Sequence, residues 1–208
     1  MPSSEFFAQY GLLAVRDIFD RDFCSRICSE IQAESNVPGA ALRGAVLKPN
    51  ADNTLLDEEI RRTSMFILSS PNAVRVREKL IELMPQAANH FGVELSGCQA
   101  VKFAVYRVGD YFKTHADTVE WENAPQEIKE RKVSVVIFLN QETTVPQENS
   151  YCGGQLTFHG LMKDSVFGNL GLPLSSKPGL FIAFSPKIQH EVTPITNGER
   201  YVIITWYK

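Results

Sequence analysis

The sequence lacks the features that would indicate a membrane protein, a secreted protein or a nucleic-acid-binding protein. No apolar run approaches the ~20 residues needed to span a bilayer, and the first residues lack the basic start and apolar core of a signal peptide. The 21 basic and 24 acidic residues give a net charge of −3 without a strong basic block, which disfavours a surface that binds nucleic acid by neutralising phosphates. We therefore predict a cytoplasmic protein with neither a membrane nor a nucleic acid as a partner.

Cysteine is scarce, and its spacing indicates neither a zinc site nor a disulfide framework. Buried free thiols in a reducing compartment are the expected state of all of them. The four residues concerned are Cys24, Cys28, Cys98 and Cys152.

The length and composition predict one domain. The chain has 208 residues, of which 44% are hydrophobic, and this is enough to bury a substantial core. We expect residues 1–97 to form a helical support region with edge strands, and residues 98–208 to form a β core.

Two helices are predicted in the first part of the chain. Asp20 can cap a helix that runs to about Glu34, and Ser70 can cap a second helix that opens with Pro71. The buried stripe of the first helix is expected at Phe23, Ile27 and Ile31. The apolar face of the second helix is expected at Val74, Leu80, Ile81 and Met84. Pro85 should kink or split this helix.

Short strands dominate the rest of the chain, separated by turns rich in Gly, Pro and Asn, and this pattern is typical of a sandwich or barrel. The run at 131–139 is almost continuously apolar, as expected of a strand covered on both faces. Residues 35–59 are interpreted as a long irregular connection. Strands are predicted at 12–19, 63–68, 101–106, 113–117, 131–139, 154–158, 180–184, 190–194 and 199–207.

A histidine and an aspartate two residues apart, His115 and Asp117, close one of these predicted strands. Side chains on a strand alternate between its faces, so both would point the same way. Together they can hold a metal ion but leave it one ligand short of a facial set, and His190 is the candidate for the third. Two histidines and one carboxylate on one face of an ion leave three positions open, which is the arrangement of non-haem ferrous oxygenases.

The wider pattern is more specific than His-x-Asp alone. Residues from Tyr106 to Asp117 read Tyr-x-x-Gly-x-x-Phe-x-x-His-x-Asp, Arg200 follows His190 by ten residues, and Trp206 follows Arg200 by six. The chain here resembles the prolyl 4-hydroxylase-like family of iron(II)- and 2-oxoglutarate-dependent dioxygenases. Further stretches that carry the resemblance are 61–64, 131–140 and 153–158.

With this resemblance, the strand pattern favours a mostly β protein with N-terminal helices, built on a double-stranded β-helix of the jelly-roll or cupin type. The resemblance implies Fe(II), 2-oxoglutarate and O2 as cofactor and co-substrates, with ascorbate as a further reductant. It implies that the metal ligands, and therefore the catalytic residues, are His115, Asp117 and His190.

The resemblance also implies how the organic groups are bound. Arg200 would bind the distal carboxylate of 2-oxoglutarate through two parallel hydrogen bonds, and Tyr106 and Ser134 would add hydroxyls to the same group. Arg131 and Trp206 are the candidates for contact with the substrate. Phe138 stands where some relatives carry a tyrosine, so carboxylate binding would depend more on Tyr106 and Arg200.

The predicted reaction is hydroxylation of an unactivated C–H bond, and the leading substrate is a prolyl residue in a peptide or protein. A free amino acid or small metabolite is the alternative substrate, and a metal-binding sensor without turnover is a third hypothesis. A carboxylate at Asp117 favours hydroxylation, because related halogenases have a small residue there. The sequence makes no prediction of oligomeric state.

Two loops flank the stretches that carry the proposed ligands. Residues 118–130 are polar and acidic, and residues 159–179 include four glycines and two prolines. Long loops in compact domains often act as lids over a site, and a solvated insertion is the alternative for residues 159–179.

Overall fold

Antiparallel strands outweigh helices in the protein, and the long helices pack on one side of the main sheet. The computed structural model describes residues 4–43, 45–46, 55–161 and 170–208. The helices are α1 (Ser4–Gln9), α2 (Arg21–Ser35), α3 (Pro71–Phe91) and α4 (Gln126–Lys129). None of the helices in these ranges is long and apolar enough to cross a membrane.

The strands are short, and those of the first 97 residues lie at or next to the edges of the sheets. Before residue 97 they are β1 (Leu13–Val15), β2 (Leu42–Arg43), β3 (Ala45–Val46), β4 (Leu55–Leu56), β5 (Arg61–Arg62) and β6 (Ser64–Phe66). The next group is β7 (Lys102–Tyr106), β8 (Tyr111–His115), β9 (Val133–Phe138), β10 (Gln141–Glu142), β11 (Ser150–Gly153) and β12 (Leu156–Phe158). The last group is β13 (Leu172–Leu174), β14 (Phe181–Phe184), β15 (His190–Val192), β16 (Ile195–Gly198) and β17 (Arg200–Tyr207).

Two sheets make the framework of the fold. A seven-stranded antiparallel sheet has the order β1-β14-β9-β17-β7-β6-β2, and a five-stranded antiparallel sheet has the order β13-β12-β15-β8-β5. A three-stranded sheet, β10-β11-β16, and the pair β3-β4 complete the set. This is the predicted jelly-roll architecture. The division into a support region and a β core within one domain stays a prediction.

The seven-stranded sheet separates two hydrophobic cores. One face packs against α2 and α3 through residues such as Phe103, Val135 and Ile203. The other face packs against the five-stranded sheet through residues such as Ala104 and Val136. All six residues of β9 are buried, which confirms the prediction of a strand covered on both faces.

Helix α2 matches the prediction closely. The Asp20 side chain accepts a hydrogen bond from the Phe23 backbone N–H at 2.7 Å, which is the interaction of an N-terminal cap. Phe23, Ile27 and Ile31 are fully buried, as the four-residue spacing predicts.

Helix α3 begins as predicted but turns a different face to the core. Ser70 accepts from the Ala73 N–H at 3.1 Å, and Pro71 is the first helical residue. Val74 and Ile81 are 45% and 47% exposed, so their predicted burial is wrong. The buried stripe is Ala73, Val76, Leu80, Leu83 and Ala87.

Pro85 does not split the helix, because α3 runs from Pro71 to Phe91 with Pro85 inside it; a kink at this residue stays a prediction. Pro85 is exposed. A backbone carbonyl that loses its partner on this side of the helix can be satisfied by water.

Three predicted loops contain regular structure. The connection at 35–59 includes β2, β3 and β4, and its residues 44 and 47–54 lie outside the described residues. Residues 118–130 include α4 and bury Ala124. The stretch 159–179 includes β13, which pairs with β12, and its residues 162–169 lie outside the described ranges.

All four cysteines are free, as predicted. Cys24 and Cys152 are buried, and Cys28 and Cys98 are half-buried. Burial raises the pKa of the Cys24 thiol to about 11 and that of Cys28 to about 12. These two thiols are therefore protonated and unreactive at neutral pH.

Candidate metal and co-substrate site

The two histidines and the aspartate of the sequence motif converge on one point. The Nε2 atom of His115 lies 3.6 Å from Oδ1 of Asp117, and Nε2 of His190 lies 3.7 Å from Oδ2 of the same carboxylate. The three ligand atoms all lie within 4.8 Å of one another. One ion of ordinary size can therefore reach all three, on one side of its coordination sphere.

The strand pairing explains why the two histidines meet. His190, the first residue of β15, is directly opposite His115, the last residue of β8. Asp117 is not on the strand as predicted, because β8 ends at His115 and the aspartate follows in a bend. The backbone N–H groups of Asp117 and Thr118 donate to the Pro186 carbonyl at 2.8 and 3.3 Å, which anchors this bend.

Both imidazoles are oriented for metal binding by carbonyls of their own chain. Nδ1 of His115 lies 2.8 Å from the Lys113 carbonyl, and Nδ1 of His190 lies 2.9 Å from the Ile188 carbonyl. A carbonyl can only accept, so each Nδ1 carries the proton and each Nε2 keeps its lone pair for a metal. The sequence alone did not show which groups supply these contacts.

The protonation states suit a cation as well. Burial by itself raises the pKa of Asp117, but His190, His115 and the Ser134 hydroxyl outweigh it and hold the pKa well below its usual range. Burial lowers the pKa of His190 to about 4, although the Asp117 carboxylate opposes this effect. The site therefore presents a carboxylate and a neutral His190 at neutral pH, which are the forms that bind a metal.

A β-bulge fixes the ring of His115. The pairing of β8 with β15 shifts register between His190 and Val192, so that Val192 is opposite Phe112. Residues three apart on a regular strand point to opposite faces, but here the rings of Phe112 and His115 stack with centroids 3.4 Å apart and an interplanar angle of 15°. The bulge therefore lets Phe112 support a metal ligand.

The ligands lie in a cavity between the two main sheets. Its inner wall comes from alternate residues of β17, whose inward face was predicted from the sequence. The residues that line it are Arg61, Tyr106, Phe112, His115, Asp117, Val136, Leu156, His190, Val192, Arg200, Val202, Ile204 and Trp206.

Arg200 occupies one end of this cavity and needs an anion there. Its side chain is only 1% exposed, and its guanidinium lies 5.0 Å from the Tyr106 ring centroid and 5.3 Å from that of Phe138. Its Nε has no hydrogen-bond partner, and no carboxylate of the described residues lies within 4.0 Å of it. Glu142 is close enough to interact with this charge but forms no salt bridge with it. A buried guanidinium without a carboxylate in contact is costly, so a carboxylate-bearing ligand fits this end of the cavity.

Tyr151 was missed by the sequence analysis and lies beside Arg200. Gly154 separates the two, since a Cβ there would lie 3.3 Å from Cδ of Arg200 and 3.4 Å from the Tyr151 ring. Burial raises the pKa of Tyr151, and the charge of Arg200 partly offsets the rise. The Tyr151 hydroxyl lies 2.6 Å from the Ser176 hydroxyl, within hydrogen-bonding distance. Tyr151 therefore brings a hydroxyl near Arg200, which Phe138 cannot do. The only signal for Tyr151 in the sequence was its position shortly before the Gly153-Gly154 pair.

Ser134 does not lie where it was predicted. It pairs with Trp206 across β9 and β17, six residues along β17 from Arg200, which is about 20 Å at ~3.3 Å per residue. A hydroxyl there cannot share a carboxylate with Arg200, so the predicted role is wrong. Ser134 lies instead close enough to Asp117 to lower the pKa of that carboxyl. Its Oγ makes no hydrogen bond that meets both the distance and the angle requirements.

Trp206 lines the other end of the cavity, and Arg131 lies over its ring. The Arg131 guanidinium lies 3.7 Å from the Trp206 ring centroid and donates to the Asp117 carbonyl at 2.8 Å. The buried Nε1 of Trp206 has no partner. Both residues are therefore close enough to the ligand set to contact a substrate, and Arg131 also holds the bend that carries Asp117.

These features fit a ferrous ion with 2-oxoglutarate. The donor set is two imidazole nitrogens and one carboxylate, which is a known ligand set for ferrous iron in oxygenases. The buried Arg200 supplies the positive charge that a dicarboxylate requires at its far end.

Comparison with known proteins points the same way. The profile of the 2OG-Fe(II) oxygenase superfamily matches residues 101–208, which is 108 of the chain's 208 residues. A PKHD-type hydroxylase of Hyphomonas neptunium is 24% identical over 200 residues, covering 94% of this chain and 77% of the relative.

Two solved structures share the fold over nearly the whole chain. A prolyl-4-hydroxylase of Pseudomonas putida superposes with a TM-score of 0.72 at 18% identity and covers 99% of this chain and 96% of its own. A prolyl hydroxylase of Trichoplax adhaerens, in complex with a hypoxia-inducible-factor peptide fragment, superposes with a TM-score of 0.73 at 16% identity, covering 98% and 88%.

Proposed function

This chain belongs to the 2OG-Fe(II) oxygenase superfamily, and we propose that it hydroxylates a prolyl residue of a peptide or protein at the site formed by His115, Asp117 and His190. The enzyme is a 2-oxoglutarate-dependent dioxygenase of the prolyl 4-hydroxylase-like type that uses Fe(II), 2-oxoglutarate and O2. The observation that carries the site assignment is the convergence of three ligand atoms within 4.8 Å. Ascorbate as a reductant belongs to the proposal.

The chemistry of the bound iron is the oxidative decarboxylation of 2-oxoglutarate to succinate and carbon dioxide, coupled to insertion of one oxygen atom into a C–H bond. The protein has to position the partners and exclude water. His115 and His190 present Nε2, because their Nδ1 protons are held by backbone carbonyls. Asp117 would supply the negative charge that the ion needs and would take a ligand position that another anion could otherwise fill.

The organic partners would lie between the two sheets. Arg200 binds the distal carboxylate of 2-oxoglutarate, with Tyr106 opposite it on the neighbouring strand. The apolar residues Val202 and Ile204 separate Arg200 from Trp206 along the same face of β17 and limit the access of water. Trp206 and Arg131 face the substrate.

The prolyl substrate rests on likeness to enzymes that act on proline. The two solved prolyl hydroxylases are 18% and 16% identical to this chain, and such likeness carries the fold alone. The substrate is therefore the part of the proposal that an experiment must decide, and a free amino acid is the alternative outcome.

The test is reconstitution of the protein with Fe(II), 2-oxoglutarate and ascorbate, with succinate and hydroxylated product measured together. A library of prolyl peptides is compared with free amino acids by the mass gain of one oxygen atom. Hydroxylated product from peptides supports the proposal. Hydroxylated product from free amino acids alone would mean that the substrate is a free amino acid and not a peptide. Absence of succinate under all conditions would make the protein a sensor without turnover.

The metal ligands are tested with the same assay. His115→Ala, Asp117→Ala and His190→Ala should each abolish succinate formation, because each removes one of three ligands. His90→Ala is the matched control, since His90 packs against Phe91 at the end of α3. Full activity of any ligand variant with metal still bound would remove that residue from the site.

A further inference from the structure

We propose that Arg61 is the receptor for a carboxylate on the substrate, so that the preferred substrate carries a negative charge near the carbon that is hydroxylated. The inference rests on the proposed function, because it assumes that 2-oxoglutarate binds at Arg200. It names a residue for which the sequence analysis gave no role.

Arg61 reaches the cavity from the edge of the five-stranded sheet. It lies on β5 opposite Phe112 of β8, and its guanidinium lies 4.5 Å from the Phe112 ring centroid. Phe112 in turn stacks on the metal ligand His115 at 3.4 Å. The Arg61 side chain therefore lines the same cavity as the ligands, separated from His115 by one aromatic ring.

The guanidinium of Arg61 is buried without a counter-charge. The residue is 9% exposed, and its Nε has no hydrogen-bond partner. Its NH2 group donates to the thioether sulfur of Met65 at 3.1 Å, which is a weak acceptor. Among the residues that the structure describes, no carboxylate lies within 4.0 Å of it. A cation in this position is stabilised when an anion enters the cavity.

The co-substrate does not supply that anion. Arg200 lies on β17 beside Tyr106, whereas Arg61 lies on β5 beside Phe112. In the proposed function, Arg200 binds the distal carboxylate of 2-oxoglutarate, and the other carboxylate lies at the metal. A second unpartnered guanidinium in the same cavity therefore calls for a third carboxylate, and the substrate is the component that remains to provide it.

Two further cations strengthen this conclusion. The Lys102 ammonium lies 5.0 Å and the Arg131 guanidinium 3.7 Å from the Trp206 ring centroid. Burial, and then the charges of Arg131 and Arg61, lower the pKa of Lys102, while Glu127 and Asp117 oppose these effects. Asp117 is assigned to the metal, which leaves Glu127 to offset Lys102 and Arg131, so the surroundings of the cavity beside Trp206 carry a surplus of positive charge that an anionic substrate would balance.

A carboxylate is the anion that fits best, because a planar guanidinium donates two parallel hydrogen bonds to it. It can come from the α-carboxylate of a terminal or free amino acid, or from an acidic side chain next to the target residue. Two pairs of probes distinguish these sources. The first pair is N-acetyl-L-proline and its amide, and the second is N-acetyl-L-prolyl-L-aspartamide, which keeps the side-chain carboxylate, and N-acetyl-L-prolyl-L-asparaginamide.

Binding is measured by calorimetry with protein loaded with Mn(II) and 2-oxoglutarate, so that no turnover is needed. We expect the acid of at least one pair to bind at least tenfold more tightly than its neutral partner. Arg61→Gln should remove this preference while leaving the affinity for 2-oxoglutarate within twofold, and Arg61→Lys should restore part of it. Arg62→Gln is the matched control, because Arg62 is exposed and stacks on Tyr111 instead.

Three outcomes would overturn the proposal. They are equal binding of acid and neutral probes in both pairs, retention of the preference in Arg61→Gln, and loss of 2-oxoglutarate affinity in Arg61→Gln, which would assign Arg61 to the co-substrate. A separate measurement tests the proposed function itself: if the wild-type protein with Fe(II) forms no succinate, that function fails, whatever the role of Arg61.

Discussion

The residue with the clearest need for a ligand is Arg200. It is fully buried between two aromatic rings and has no described carboxylate partner. Tyr106 pairs with it across β7 and β17 and offers a hydroxyl on the same side. A dicarboxylate bound here would connect this charge to the metal ligands on the other sheet.

Replacing Arg200 should therefore weaken 2-oxoglutarate binding without displacing the metal. Losing a charge-assisted contact to a buried carboxylate costs on the order of 2–5 kcal/mol, which exceeds tenfold in affinity at ~1.4 kcal/mol per decade. Titration calorimetry on Mn(II)-loaded Arg200→Ala measures this, and Tyr106→Phe should show a smaller loss. Unchanged affinity in Arg200→Ala would refute the assignment.

Tyr151 should contribute to the same affinity as a residue that positions Arg200. Its hydroxyl lies 2.6 Å from the Ser176 hydroxyl, and Arg200 is close enough to lower its pKa. One lost hydrogen bond costs about 0.5–1.5 kcal/mol, so Tyr151→Phe should raise the dissociation constant of 2-oxoglutarate by about two- to tenfold. Metal affinity should not change, which separates positioning from general damage. Tyr111→Phe, which loses exposed hydrogen bonds to the Glu58 and Glu59 carbonyls, is the control and should bind 2-oxoglutarate normally.

At the scale of elements, the sequence predicted which residues meet but not how the strands place them. The motif around His115 and Asp117, together with the family resemblance, predicted that His190 would join them. The way in which they are positioned differs from the prediction, because β8 ends at His115 and a bend carries Asp117. The bulge that stacks Phe112 on His115 has no local signature. Ser134 was misplaced for a related reason, since the register between β9 and β17 depends on the whole sheet.

Helix α3 shows the same limit in a simpler form. Its apolar residues outnumber the positions that the core can accept, so Val74 and Ile81 remain exposed while the small Ala73 and Ala87 are buried. Composition and spacing alone did not rank these alternatives. The choice is made by the fit between the helix and the seven-stranded sheet.

The face of α3 can be tested by two neighbouring substitutions. Leu80→Ala should lower the free energy of unfolding by about 2–5 kcal/mol, because it leaves a cavity in a fully buried position. Ile81→Ala should change it by no more than about 0.5 kcal/mol, because Ile81 is half exposed. Urea denaturation of the two variants measures the difference. Equal losses would mean that α3 packs with another face.

At the scale of the whole molecule, the site joins the two sheets that make the framework. The metal ligands belong to or follow strands of the five-stranded sheet, whereas Arg200 and Tyr106 belong to the seven-stranded sheet. On the proposed site assignment, metal and 2-oxoglutarate bound together would link both layers. Anything that binds only the folded state stabilises it by mass action.

Thermal unfolding should consequently show two successive increments, one for Mn(II) and one for 2-oxoglutarate. A ligand at 100 times its dissociation constant contributes about 2.7 kcal/mol, which for a domain of this size corresponds to roughly 5–11 °C in Tm. His190→Ala should lose both increments, because 2-oxoglutarate is anchored partly through the metal. Arg200→Ala should keep the metal increment and lose most of the second, and a chelator should reverse the effect in the wild-type protein. If 2-oxoglutarate raised the Tm equally without metal, or if Arg200→Ala kept the full second increment, the co-substrate would not bridge the two sheets in the way the site geometry requires.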